Sequence, residues 1–325
     1  MVLVVLAVAI LFRCLDKDSK MAKVLISYRG IPQSPGWATG DLVADAFRRN
    51  GHEVDTYGNF YKQGPSSRIP GSLTIEEVRR KQFDLALYME MNDDDSQYLE
   101  LKYIPAKVRA YWDFDVSYHP DFTASVCNYL KFDHIFCANP DFRSFFEKFA
   151  PRASILPYGF CCMKHTPNAF KSFRERKYQF AIIGSPWKER KEIVTALKDE
   201  GMDAHLITGV FREEYIQTLA DTKVSINYNV QAGAGLLVMR VWESLATHSC
   251  LITNAGDHIS RFLTVGDDCL VYNDIPGLVE LCKKINKEPD IARRMARQGY
   301  ITGQKNHSYD SRITEILETL RLSNA

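Results

Sequence analysis

The sequence has almost no excess of either charge: 41 Lys and Arg stand against 40 Asp and Glu, a formal net +1. A near-neutral chain makes no global field for holding a polyanion, which argues against a dedicated nucleic-acid binder. Its eight cysteines include no C-x-x-C pair, and their spacing fails the zinc templates. In a chain this large the expectation is reduced, buried thiols in a reducing compartment rather than a disulfide framework. No repeat of roughly 20–50 residues and no low-complexity tract is present. The dinucleotide fingerprint G-x-G-x-x-G is also missing. The apolar stretch at the start, Val2–Phe12, has 11 residues, whereas a membrane helix needs about 20. It lacks the basic n-region and small-residue cleavage site of a signal peptide. Residues 1–20 are therefore expected to be a non-folding leader or to precede a true start at Met21, with a weak membrane anchor as the competing reading. No stable membrane insertion is expected, and the expected location is cytoplasmic.

What is present is an ordinary globular composition, 46% hydrophobic over 325 residues, which predicts two domains of roughly 150 residues. From Lys23 onward, short apolar runs alternate with amphipathic stretches. Val24–Tyr28, Phe83–Met91, Val108–Trp112 and His134–Ala138 read as strands, and Asp41–Arg49 and Asp141–Phe149 as helices. Thr74-Ile75-Glu76-Glu77 is a capping box opening a short helix. After a polar, basic stretch the alternation restarts, with strands at Tyr178–Ile183, Ala204–Ile207, Lys223–Tyr228, Cys250–Thr253 and Cys269–Tyr272. Strands separated by helices imply parallel β-α-β units. The fold class is thus α/β, two doubly wound Rossmann-like domains facing a cleft. The boundaries expected are 21–160, a linker at 161–177, 178–306, and a C-terminal segment at 307–325. In such sheets ligands bind beyond the carboxyl ends of the strands.

Four segments carry candidate chemistry. In Ile183-Gly184-Ser185-Pro186-Trp187-Lys188-Glu189-Arg190-Lys191 a strand ends at Gly184, Ser185 suits an N-cap and Pro186 the first helical position. Free backbone N–H groups there, with Lys188 and Arg190, suit a pyrophosphate; the bland alternative is a capped helix with a solvated basic start. The second segment runs from Gly233 and Gly235 to Arg240-Val241-Trp242-Glu243. Arg240 and Glu243 share a helix face, where the carboxylate can grip vicinal hydroxyls and the arginine a phosphate oxygen; the alternative is a surface ion pair. Third, Asp113, Asp115 and His119 lie among aromatic residues just after a strand and offer a general base, or else simply satisfy turns. Fourth, Asp93 and Asp95 offer a metal site, or else a solvated acidic turn. The loop Arg29–Gly40, with Gly36 and Trp37, precedes the first helix and is expected to face the cleft.

From Lys23 to about Leu322 the chain resembles a glycosyltransferase of the GT-B fold, and more narrowly the spore-maturation CgeB-like branch of the group 1 glycosyltransferases. The resemblance rests on several segments in order: Gly51-His52-Glu53-Val54, Tyr111-Trp112-Asp113-Phe114-Asp115 and Ile155-Leu156-Pro157-Tyr158-Gly159. Phe180-Ala181-Ile182-Ile183-Gly184-Ser185 with Arg190, Arg240–Ala246 before Leu251-Ile252-Thr253-Asn254, and Ser308-Tyr309-Asp310-Ser311-Arg312 complete it. It implies a nucleotide-sugar donor held by the C-terminal domain and an acceptor held by the N-terminal one, near Gly36 and Trp37. Gly184 and Ser185 would lie by the diphosphate, Arg190 and Arg240 would neutralise it, and Glu243 would hold ribose hydroxyls. The final helix would cross back to the N-terminal domain. No cofactor and no bound metal are implied. One departure is clear: the E-x7-E pattern of many group 1 relatives has Gly235 where its first glutamate belongs. The expected activity is transfer of a hexosyl or pentosyl group from a UDP-, GDP- or dTDP-sugar, with Asp113 or Asp115 as base if the reaction inverts. The acceptor is left open among glycan, protein, small molecule and modified DNA, the last disfavoured by charge, and oligomeric state is unread. The rival readings are a nucleotide-sugar-binding module without turnover and a metal-dependent transferase centred on Asp93 and Asp95.

Overall fold

The computed structural model describes residues 21–32, 34–60, 67–89, 97–167, 169–229, 237–254 and 256–322. Residues 1–20, Asp93, Asp95, Gly233 and Gly235 lie outside the described residues.

The first half contains strands β1 (Lys23–Ser27), β2 (Glu53–Tyr57), β3 (Phe83–Met89), β4 (Ala106–Asp113), β5 (His134–Cys137) and β6 (Ala153–Ile155). Its helices are α1 (Thr39–Arg49), α2 (Ile75–Arg79), α3 (Gln97–Glu100), α4 (Pro120–Leu130), α5 (Arg143–Phe146) and α6 (Cys162–His165). The second half has β7 (Tyr178–Ile183), α7 (Lys188–Asp199), β8 (Ala204–Ile207), α8 (Arg212–Ala220), β9 (Thr222–Asn227) and α9 (Met239–Ala246). It continues with β10 (Cys250–Thr253), β11 (Cys269–Val271), α10 (Ile275–Lys287), α11 (Pro289–Asn306) and α12 (Tyr309–Thr319).

All pairings within the two sheets are parallel, in the orders β2-β1-β3-β4-β5-β6 and β11-β10-β9-β7-β8. Parallel strands are covered on both faces, so they read as continuous apolar runs; Val24, Leu25 and Ile26 are each at most 1% exposed. In both sheets the chain reverses direction of growth beside the first strand, at β1/β3 and at β7/β9. Such a switch point leaves a crevice outside the strand carboxyl ends. That topology places the site.

Thr74 caps α2 as expected, its hydroxyl accepting from Glu77 N at 3.2 Å while Glu77 Oε2 accepts from Thr74 N at 2.7 Å. The helix expected over 141–149 is instead a 3₁₀ turn, Pro140–Phe142, followed by α5. The Asn139 side chain accepts from Asp141 N and tightens that turn. None of the seven described cysteines is paired. Among the described residues, no helix is long and apolar enough to cross a membrane.

The two halves are tied at a double crossing. Phe160 N donates to His307 O (3.2 Å) and Tyr309 N to Phe160 O (2.8 Å). Tyr309, Ile313, Ile316 and Leu317 of α12 then bury themselves in the N-terminal core beside Trp112 and Phe47. Arg312, 4% exposed, donates to Pro157 O and reaches His307 Nδ1 at 3.0 Å. Arg49 grips Asp310 through two nitrogens, at 3.1 and 2.8 Å.

Candidate active site

A cavity of about 420 Å³ opens at the carboxyl end of the second sheet and is walled on the far side by the loop after β1. Its floor is the turn after β7, where Gly184 has φ +141°, a backbone region open to glycine and closed to most side chains. A Cβ at Gly184 would stand 2.7 Å from Arg240 Nη2 and 3.0 Å from Arg190 Nη1. Two guanidiniums therefore converge over this one glycine.

Both arginines are fixed by the switch point. Arg190, in the first turn of α7, donates to Ser185 O (2.9 Å) and Tyr228 O (3.3 Å). Arg240, in the first turn of α9, donates to Asn227 Oδ1 at 3.2 Å. Burial, reinforced by the positive charge of Arg240, pushes the Arg190 guanidinium down to about 10. Among the described residues neither arginine forms an ion pair, and the buried Nε of each has no hydrogen-bond partner. Two like charges held together without a carboxylate are costly unless an anion joins them.

Glu243 lies one turn along α9 from Arg240 and is 7% exposed. The ion pair between them that the spacing also permitted does not form. Instead Glu243 Oε2 accepts from Tyr215 OH at 2.6 Å, and its Oε1 lies 4.0 Å from His165 Nε2. Burial and the neighbouring Glu243 charge hold the Tyr215 hydroxyl well above its ordinary value, so it remains a donor. Burial lowers His165. His165 stacks on Trp37 with ring centroids 5.9 Å apart, and Trp37 lines the cavity from the N-terminal side. Gly36, with φ +78°, turns its carbonyl to accept from Lys164 Nζ.

The cavity is lined by Gly184, Ser185, Arg240, Glu243 and Trp37; Arg190 is not part of that lining but reaches within 3.0 Å of where a Gly184 Cβ would stand. Three expectations are corrected. The helix after β7 begins at Lys188 with Trp187 as N-cap, not at Pro186 behind a Ser185 cap, because Trp187 N closes a turn onto Ser185 O (2.9 Å) first. Lys188 points away from the cavity, its side chain 84% exposed and paired with Glu192. Asp113 and Asp115 do not line the cavity. Asp113 is 1% exposed and closes the turn after β4, accepting from Tyr111 OH (2.9 Å) and Val116 N (3.1 Å). His165, Tyr215 and the turn Thr208–Arg212 line the cavity without having been singled out in the sequence. The turn follows β8, so its place at a strand carboxyl end was the available signal; His165 and Tyr215 carried none. Among the described residues no three His, Cys, Asp or Glu side chains cluster as a metal site.

Residues 166–318 match the family model described as glycosyl transferase-like. No curated protein sequence matches the chain. Among solved structures, the chain is similar to a sucrose-phosphate synthase from Thermosynechococcus elongatus (TM-score 0.60, 11% identity, 93% of this chain and 98% of that one). It is similar to Anabaena HepE in complex with UDP and glucose (TM-score 0.60, 12% identity, 92% and 99%). It is also similar to an alpha-glucosyltransferase in complex with UDP-glucose and DNA containing an abasic site (TM-score 0.66, 12% identity, 93% and 99%). At these identities the likeness shows the fold, which is GT-B, and the family match over the second half supports a glycosyltransferase.

Proposed function

We propose that the protein transfers a sugar from a nucleoside-diphosphate sugar, gripping the diphosphate over Gly184 between Arg190 and Arg240. The observation that carries this reading is the pair of guanidiniums, neither ion-paired among the described residues, converging on a residue without a side chain at the switch point of a parallel sheet. The UDP bound by structural neighbours and the glycosyl transferase-like match support it. Glu243, with one carboxyl oxygen left toward the cavity, takes the hydroxyls of the donor. Trp37 and the loop around it belong to the acceptor side, so the second half is the donor domain and the first the acceptor domain. Positive charge from the two arginines stabilises the leaving diphosphate in place of a metal, and full turnover in EDTA is the corollary. The finer placement in the CgeB-like branch rests on the sequence resemblance.

The test is calorimetric titration of UDP into the wild type and Arg240→Ala. Loss of hydrogen bonds to a charged group is worth about 1.5–3 kcal/mol, so affinity should fall roughly 10- to 150-fold while thermal unfolding stays cooperative. Unchanged affinity in the variant contradicts the assignment.

A further inference from the structure

The state of His165 is dictated by its neighbours. Cys161 N donates to His165 Nδ1 at 3.2 Å. A backbone amide does not titrate, so Nδ1 must present its lone pair, and the single proton of the neutral ring sits on Nε2. The orientation of the ring is held by burial, 2% exposed, and by its stack at 26° on Trp37. Nε2–H has no hydrogen-bond partner among the described residues. It faces Glu243 Oε1 across 4.0 Å, too far for a direct hydrogen bond. Glu243 Oε2 is already taken by Tyr215, which leaves Oε1 as the acceptor.

A fixed donor and a fixed acceptor at that separation leave room for one oxygen about 2.8 Å from each. The oxygen must accept from one side and donate to the other. Carbonyl and phosphate oxygens cannot donate, and an ammonium cannot accept; a hydroxyl or a water does both. Because His165 and Glu243 both line the cavity, a ligand hydroxyl can take the place that a water would otherwise hold. We propose that His165 and Glu243 together read a single hydroxyl of the bound nucleotide sugar, the histidine donating to it and the glutamate accepting from it. This rests on the donor reading above. It makes His165 a specificity residue and removes it as a general base, since Nε2 has no lone pair to offer. It also links the acceptor-side loop to the donor, because the ring that donates is the one Trp37 stacks upon.

The experiment titrates UDP, 2′-deoxy-UDP, 3′-deoxy-UDP and UDP-glucose into the wild type, His165→Phe and His165→Gln, with thermal unfolding as the control for folding. If the hydroxyl belongs to ribose, His165→Phe weakens UDP about tenfold or more and His165→Gln restores much of it. One deoxy analogue then suffers the same loss in the wild type and no further loss in His165→Phe. If the hydroxyl belongs to the transferred sugar, the loss is confined to UDP-glucose. Equal binding of all ligands by wild type and His165→Phe overturns the proposal, as does a loss with UDP that persists in full with both deoxy analogues. Long-range nitrogen NMR of the wild type should find the Nε2–H tautomer at neutral pH; an Nδ1–H tautomer or a charged ring overturns it without any variant. Failure of the wild type to bind any of UDP, GDP, dTDP or UDP-glucose sinks the donor reading itself, whereas tight binding indifferent to His165 sinks this inference alone.

Discussion

At the scale of single residues, Asp113 separates a structural carboxyl from a catalytic one. Burial, partly offset by hydrogen bonds from Tyr111 and Val116, raises it from 3.8 to about 7, a value that would also suit a base. Its two oxygens are occupied, however, and it lies off the cavity. Asparagine has one acceptor oxygen, so Asp113→Asn leaves either Tyr111 OH or Val116 N without a partner. The expected cost is about 1–3 kcal/mol of stability, with turnover within roughly a factor of ten of wild type; loss of a general base costs about 10²–10⁴. The pH dependence has a defined sign. A folded value above the unfolded one contributes stability that is complete below pH 3.8 and is lost as pH rises to about 7. Asparagine carries no such proton. The stability gap between wild type and variant, read from urea midpoints, should therefore narrow from pH 5 to pH 8; a gap that widens contradicts the assignment. The sequence exposed Arg240 and Glu243 because three-residue spacing on an otherwise apolar helix marks a polar pair. It hid His165 and Tyr215, whose partner Glu243 is far away in the chain, and it offered Asp113 because a carboxylate after a strand looks the same whether it faces solvent or core.

At the scale of elements, helix and strand identity was readable and their joints less so. Ser185-Pro186 satisfies the local preference for a helix start, yet Trp187 N closes a turn onto Ser185 O first and delays α7 to Lys188. The double crossing is the other joint the sequence could not show. Gly159 was part of a recognisable segment, but its reason is a close approach: a Cβ there would meet His307 O at 3.0 Å and Tyr309 N at 3.1 Å. Those atoms are backbone and cannot swing aside. Gly159→Ala should therefore loosen the Phe160–Ser308 bridge and lower unfolding free energy by about 1–3 kcal/mol, measured by chemical denaturation. An unchanged midpoint would show that the crossing has slack.

At the scale of the molecule, the alternation of apolar runs and helices revealed two parallel α/β units and their restart near Tyr178. Strand order was not readable, because parallel neighbours are set by the direction of each crossover. The switch point at β7/β9, and with it the meeting of Arg190 and Arg240, exists only once that order is known. The same holds for α12, whose Tyr309, Ile313, Ile316 and Leu317 complete a core that starts nearly 300 residues earlier. Each such side chain contributes about 1.5–3 kcal/mol on burial, so together they rival a typical net stability of about 5–15 kcal/mol. A chain ending at Asn306 should lose cooperative unfolding of its N-terminal half; retention of a sharp transition at the wild-type temperature would show that α12 is dispensable.

The central claim is that the guanidiniums over Gly184 hold a diphosphate, and the most direct measurement is a crystal structure of the chain with UDP bound. Phosphate oxygens should lie within hydrogen-bond distance of both Arg190 and Arg240, beside Gly184, with a nucleotide hydroxyl or the sugar subsite facing Glu243. UDP bound elsewhere, with those two arginines still facing each other unbridged, would contradict it.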